Sequence, residues 1–182
     1  MSVFLLLPVV LLVWAIFIFN RLVRDRNRVR AGWSDIDVQL KRRHDLVPRL
    51  VEAVKGYARY EKATLEAVVE LRNTSAASDD VAAKGPLEEK LGAGVRKPIL
   101  LAEAYPELKA SQNFSRLQAQ LVEVEDHIQY ARRYYNGCVR NLNTRIESFP
   151  DLLVAGPFRI RPEPFFELDD RQSEQRIPEV SL

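Results

Sequence analysis

Residues 114–149 read FSRLQAQLVEVEDHIQYARRYYNGCVRNLNTRIESF, and this stretch decides the fold. Phe114, Leu117, Leu121, Val124, Ile128, Ala131, Tyr135, Cys138, Leu142, Ile146 and Phe149 recur at steps of three and four. That is the repeat of a helix with one buried face. Ser111 is placed to cap its first free N–H groups. Pro150 ends it. Such a helix is about 55 Å long. Gly137 costs it some stability and predicts close approach of another helix there.

A second stripe lies upstream. Leu22, Val29, Trp33, Ile36, Leu40, Val47, Leu50, Val54, Tyr57, Val68 and Leu71 share one phase, with Arg26, Arg43, Glu61 and Thr64 in its gaps. Val51, Ala58, Leu65 and Val69 widen it, which suits a bundle better than a two-stranded seam. Pro48 interrupts the hydrogen bonding but not the phase, so a kink near 45–47 is expected, and fraying at 73–80. Read as one helix from Leu22 to Asn73, it is about 78 Å long and outreaches the 114–149 helix. Its membrane-proximal part, with Val29, Trp33, Ile36 and Leu40, is therefore expected to pack on neighbouring chains or to lie on a membrane.

Between the two, Ser78 or Asp79 offers a cap for a short piece that Gly85-Pro86 interrupts. Pro86 then opens a helix over 87–104, with Leu87, Leu91, Val95, Ile99 and Leu101 or Ala102 inward. Gly92, Gly94 and Pro98 weaken it, and Tyr105-Pro106 ends it. No strand-like alternation is present. The fold class is all-α: an N-terminal transmembrane helix continuing into an antiparallel long-helix bundle of three to four helices, with an extended C-terminal tail. The expected divisions are residues 3–20, 21–150 and 151–182.

Val3–Phe19 is uncharged and broken only by Pro8. As a helix it is about 25 Å long, at the short end of a membrane span. It lacks the basic start and small-residue finish of a cleaved signal peptide. Arg21, Arg24, Arg26, Arg28 and Arg30 follow against Asp25 alone, which places the N-terminus outside and the body in the cytoplasm. The same arginines suit anionic headgroups. After Phe149 the chain is proline-rich, and residues 162–182 carry six acids against two arginines. Val154, Phe158, Ile160, Phe165 and Phe166 are placed to lie across the bundle.

Overall charge is nearly balanced, 27 basic against 25 acidic residues, which argues against nucleic acid as a partner. One cysteine excludes a disulfide framework and a cysteine-based zinc cluster. Cys138 falls on the apolar stripe and reads as a small buried hydrophobe. His44 and His127, with Asp45 and Glu123, lack metal-motif spacing. No phosphate loop or nucleophile elbow occurs, so no cofactor, metal site or catalytic residue is expected.

The densest polar cluster is Lys41, Arg42, Arg43, His44 and Asp45. As an active site it needs an acid to orient His44, from Asp37, Glu123 or Glu125. The plainer reading pairs the cluster with Glu123, Glu125 and Asp126 and fixes helix register. Arg132, Arg133, Tyr134 and Asn136 form a candidate partner surface beside the core tyrosine Tyr135.

Several blocks, in order, resemble the LemA family: Trp33-Ser-Asp-Ile-Asp-Val-Gln-Leu-Lys-Arg-Arg-His-Asp-Leu-Val-Pro48, Leu50 to Ala58, Glu103 to Ala110, Asn113-Phe114, Ala131-Arg-Arg-Tyr-Tyr-Asn136, Asn143, Phe149-Pro150 and Pro164-Phe-Phe-Glu167. The resemblance implies a bacterial, single-pass inner-membrane protein with a cytoplasmic helical bundle and no established catalysis. It also implies links to heat-shock-type membrane metalloproteases, envelope stress and membrane shaping. The chain departs from the family pattern at Gly85-Pro86, Gly92, Gly94, Pro98 and His127. The expected function is a non-catalytic scaffold that self-associates at the bilayer as a homo-oligomer. The alternative is an adaptor or regulator of a membrane-bound quality-control protease, working through a free 157–182 tail.

Overall fold

The structure is a computed structural model that describes residues 2–56, 62–102 and 104–167, and the side chains of all but 2–6 and 101 among them. Tyr57, Ala58, Glu61, Glu103 and the 168–182 tail, which the sequence reading used, lie outside the described residues. The elements are α1 (Ser2–Val54), α2 (Lys62–Ala77), α3 (Val81–Ala102), α4 (Pro106–Lys109), α5 (Gln112–Glu147) and α6 (Leu152–Ala155). No strand occurs among the described residues.

The expected continuous helix to Asn73 is not found. α1 ends at Val54, a turn follows at Lys55-Gly56, and α2 is a separate helix. The helix also runs through Pro48. Pro48 has no N–H to give the His44 carbonyl one turn back. Arg72 of α2 supplies the missing donor, its Nε lying 3.2 Å from that oxygen.

The chain forms two compact units. One contains Asp37–Gln129 with Phe166 and Glu167. There the elements alternate in direction. Arg72 meets His44, Ser75 meets Glu88, and Arg43 meets Glu125. Arg43-Glu88 and Asp37-Lys84 run the same way along the chain, so α3 is parallel to α1. Four long helices thus share this unit in the up-down-up-down order that short connections favour. Its core includes Leu40, Val47, Leu50, Val54, Leu65, Val68, Leu91, Val95, Leu117, Leu121 and Val124.

α3 corrects the expectation of an interrupted segment. It begins at Val81, before Gly85-Pro86, and passes through Pro86 and Pro98. Asp80 caps it, its carboxylate accepting from the Ala82 N–H at 3.0 Å. Its glycines serve close packing. A Cβ at Gly92 would lie 3.2 Å from Arg43 Nη1, one at Gly94 3.1 Å from Val68, and one at Gly85 would overlap the Glu167 carbonyl.

The other unit contains residues up to Ile36 with Tyr130–Phe165. α1 and α5 run antiparallel in it, as Asp25-Arg145 and Trp33-Tyr135 show. Leu22, Val29, Ile36, Tyr135, Val139, Leu142 and Ile146 form its core. The close approach expected at Gly137 is instead at Gly32. A Cβ on Gly32 would sit 3.2 Å from the Tyr135 Cα, while one on Gly137 would meet nothing within 4 Å beyond its own helix backbone among the described residues. Val139 takes the buried place expected for Cys138, which is half-buried. Phe149 leaves the stripe and is 79% exposed. The Ser111 cap is present, with the Phe114 N–H donating to its hydroxyl at 3.5 Å.

Residues 157–159 continue the turn after α6, and 160–165 have no regular secondary structure but are tied to α5 at Glu163 and Pro164. Asn143 donates to the Glu163 carbonyl and accepts from the Glu163 N–H, both at 2.9 Å. The Tyr135 hydroxyl donates to the Pro164 carbonyl at 2.8 Å. Burial, with Glu163 nearby, pushes that phenol up to about 12. Ile160 is buried here, and Phe166, in the other unit, is fully buried.

Candidate functional site

Glu88 is the most deeply buried charged group described, 1% exposed, and three side chains converge on it. Arg43 Nη2 donates to its Oε2, and to its backbone carbonyl at 3.1 Å. His44 Nε2 lies 2.6 Å from Oε1, which also accepts from the Ser75 hydroxyl. The second Arg43 amino group donates to Glu125 Oε2 at 2.8 Å, and Gln129 holds the other Glu125 oxygen at 3.3 Å. Arg43 Nε is buried with no hydrogen-bond partner among the described residues. α1, α2, α3 and α5 each contribute to this node.

The electrostatics follow from the placement. Burial works against ionised Glu88, but the His44 hydrogen bond, the Arg43 charge and the Ser75 hydroxyl outweigh it and hold the carboxyl at about 2. Such a group is a firm anion at neutral pH and a weak proton acceptor.

The five residues of the expected polar cluster are split. Arg43 and His44 are buried, while Lys41, Arg42 and Asp45 are exposed. The expected pairing with α5 is present at Arg43-Glu125, and more loosely at Arg42-Glu123, 3.9 Å apart. Lys41 pairs with Asp37 at 2.7 Å. The hydrogen bond that Lys41 donates to Asp37, and the charge of that carboxylate, raise the Lys41 pKa above the usual lysine value. The acid on His44 is neither Asp37, Glu123 nor Glu125 but Glu88, which sequence reasoning missed. His127 lies on α5 beside Glu123 at 3.8 Å and is not brought to His44.

In the other unit, Arg21, Arg24, Arg26, Arg28 and Arg30 are all exposed. Asp25 between them is buried, with Arg28 at 3.2 Å and Arg145 at 2.9 Å. Asn20, Val23, Arg24, Asn27, Arg28, Ala31 and Tyr134 line a groove of about 450 Å³. On α5, Arg133 stacks over the Tyr130 ring at 4.8 Å. Tyr130 and Tyr134 are more than half exposed, while Arg132 and Asn136 are half-buried. A hydrogen bond with Cys138 raises the Tyr134 phenol. Val29, Ile36 and Leu40, expected to join chains, are at most 3% exposed within this chain, and Trp33 is half-buried against Tyr135. That stripe is occupied by the chain's own packing.

The apolar segment of α1 is different. Leu7, Val9, Val10, Leu11, Leu12, Val13, Ile16 and Phe17 are each more than half exposed. α1 is long and apolar enough at this end to cross a membrane. These features define a helical-bundle protein whose first helix carries a membrane-length apolar segment. The chain belongs to the LemA family, whose sequence pattern matches residues 32–182. It is 29% identical over 138 residues to Protein LemA of Metamycoplasma hominis. The match covers 75% of this chain and 63% of that relative's length.

Proposed function

We propose that the protein is a non-catalytic scaffold, anchored in a bacterial inner membrane through α1 with its bundle in the cytoplasm. One observation carries this reading. The exposed apolar residues Leu7–Phe17 and the core residues Leu22–Val54 belong to a single helix, with no joint between anchor and bundle. The five exposed arginines after the span support the orientation. The Glu88 node supports a structural rather than catalytic role. His44 and Glu88 side chains are 7% and 1% exposed, which leaves no face for a substrate.

Self-association belongs to this reading, on a surface other than the occupied Val29–Leu40 stripe. The exposed Tyr130, Arg133 and Tyr134 are of the types that anchor interfaces. The protease-adaptor alternative calls for a free tail, and the hydrogen bonds that hold Glu163 and Pro164 to α5 weigh against it there. Light scattering of the full chain in mild detergent tests the scaffold. A defined oligomer that Arg133→Ala with Tyr134→Ala reduces to a monomer is expected. A monomeric wild-type chain would overturn self-association.

A further inference from the structure

We propose that the corner 149–158 is a second membrane contact. It sets Phe149, Leu152, Leu153 and Phe158 into the headgroup–acyl boundary of the bilayer that holds α1. The proposal rests on the reading of Leu7–Phe19 as a span.

The four side chains are 79%, 50%, 58% and 59% exposed. They fall within ten residues of one another. Val154 and Ala155 of α6 turn inward at 5% and 1%. The short helix thus buries its small apolar residues and displays its large ones, the reverse of a water-facing corner. The Phe158 ring lies 4.6 Å from the ring of Phe19, the last apolar residue of the span. This contact fixes the height of the corner where α1 leaves the apolar layer. The exposed face therefore continues the lipid-facing surface of α1, which favours lipid over a second protein.

Exposed arginines flank the patch on both strands of chain: Arg21 and Arg24 after the span, Arg159 and Arg161 after the corner. An apolar face rimmed by cations is the pattern of an interfacial element on an anionic bilayer. Arg159 holds a left-handed backbone, φ 54°, where the chain turns out of the corner. That conformation is uncommon for a residue with a side chain, and here it belongs to one of the rim cations.

The test uses the full chain carrying Cys138→Ala, in vesicles of phosphatidylethanolamine and phosphatidylglycerol. An environment-sensitive fluorophore is attached after Leu12→Cys, Leu153→Cys or Val122→Cys, and lipids carry nitroxides at shallow or deep positions. The Leu12→Cys probe should be quenched by deep nitroxides. The Leu153→Cys probe should be quenched about threefold more by shallow than by deep ones, as an interfacial depth requires. The Val122→Cys probe should respond to neither. A Leu153→Cys probe open to aqueous iodide and unquenched by lipid overturns the proposal while leaving the span intact. A probe shielded from iodide yet unquenched by lipid means a protein covers the corner, which also overturns it. An unquenched Leu12→Cys probe overturns the span and this proposal together.

Discussion

Replacing Glu88 with glutamine keeps the shape of a buried side chain and removes the charge that Arg43, His44 and Ser75 are arranged to hold. A carboxyl held at about 2 rather than 4.5 has its ionised form favoured by about 3 kcal/mol in the folded state. Removing one partner from a buried ion pair costs about 3–5 kcal/mol by general precedent, because the cation is left uncompensated. The two figures agree, so Glu88→Gln should cost about 3 kcal/mol. In a chain of this size that lowers Tm by about 6–12 °C, read by circular dichroism of the full chain in detergent at pH 7. The pH dependence has a definite sign. The folded carboxyl binds its proton less readily than the unfolded one, so its contribution is complete above pH 4.5. It is lost as pH falls towards 2. The gap between wild type and Glu88→Gln should therefore close over that window. A Tm shift below about 2 °C, or a gap that persists unchanged at pH 2.5, would refute this account of the node.

Arg72→Met should cost about 1–3 kcal/mol, because it strands the His44 carbonyl. In a Pro48→Ala background most of that cost should vanish, since alanine restores the helical donor, and a double-mutant cycle on thermal unfolding reads the coupling. Gly32→Ala should lower Tm by crowding the Tyr135 backbone. Gly137→Ala, whose Cβ meets nothing within 4 Å beyond its own helix backbone among the described residues, should raise it through about 0.5–1 kcal/mol of helix propensity. Asn143→Ala removes both hydrogen bonds to Glu163 and should speed tryptic cleavage after Arg159, timed by gel. In an alkaline titration followed by tyrosine absorbance, the phenol that ionises at the highest pH should disappear on Tyr135→Phe.

Much of the bundle was legible because burial writes a period into the chain. Most residues of the stripes from Leu22 and from Phe114 are in the core, although Trp33, Leu71, Ala131 and Cys138 are half-buried and Phe149 is exposed. The break after Val54 was not legible. The stripe keeps its phase into α2, and Pro48 is a stronger local signal than Gly56, although Arg72 from another helix makes Pro48 tolerable. In the sequence α3 is weak because of its glycines, whose local cost is visible there. The space they leave for Arg43 and Val68 is not.

The site itself left a trace. Arg43 stands in the apolar register between Leu40 and Val47, and Glu88 shares the phase of Leu91 and Val95. A charged residue at a buried position needs a partner. Two such residues on different helices are each other's natural partners, and that signal pointed past Asp37, Glu123 and Glu125 to Glu88. Val139 displaced Cys138 for a geometric reason: the buried line runs Ile128, Tyr135, Val139, Leu142, Ile146, leaving Cys138 at its edge.

Flotation of the full chain on a density gradient of bacterial membranes, after an alkaline wash, tests the anchored-bundle account most directly. The wild-type protein should rise with the lipid. Val10→Arg with Val13→Arg, placed in the exposed apolar face of α1, should leave a helical protein in the soluble fraction. Wild-type protein released by the wash, or a double-arginine variant that still floats, would contradict it.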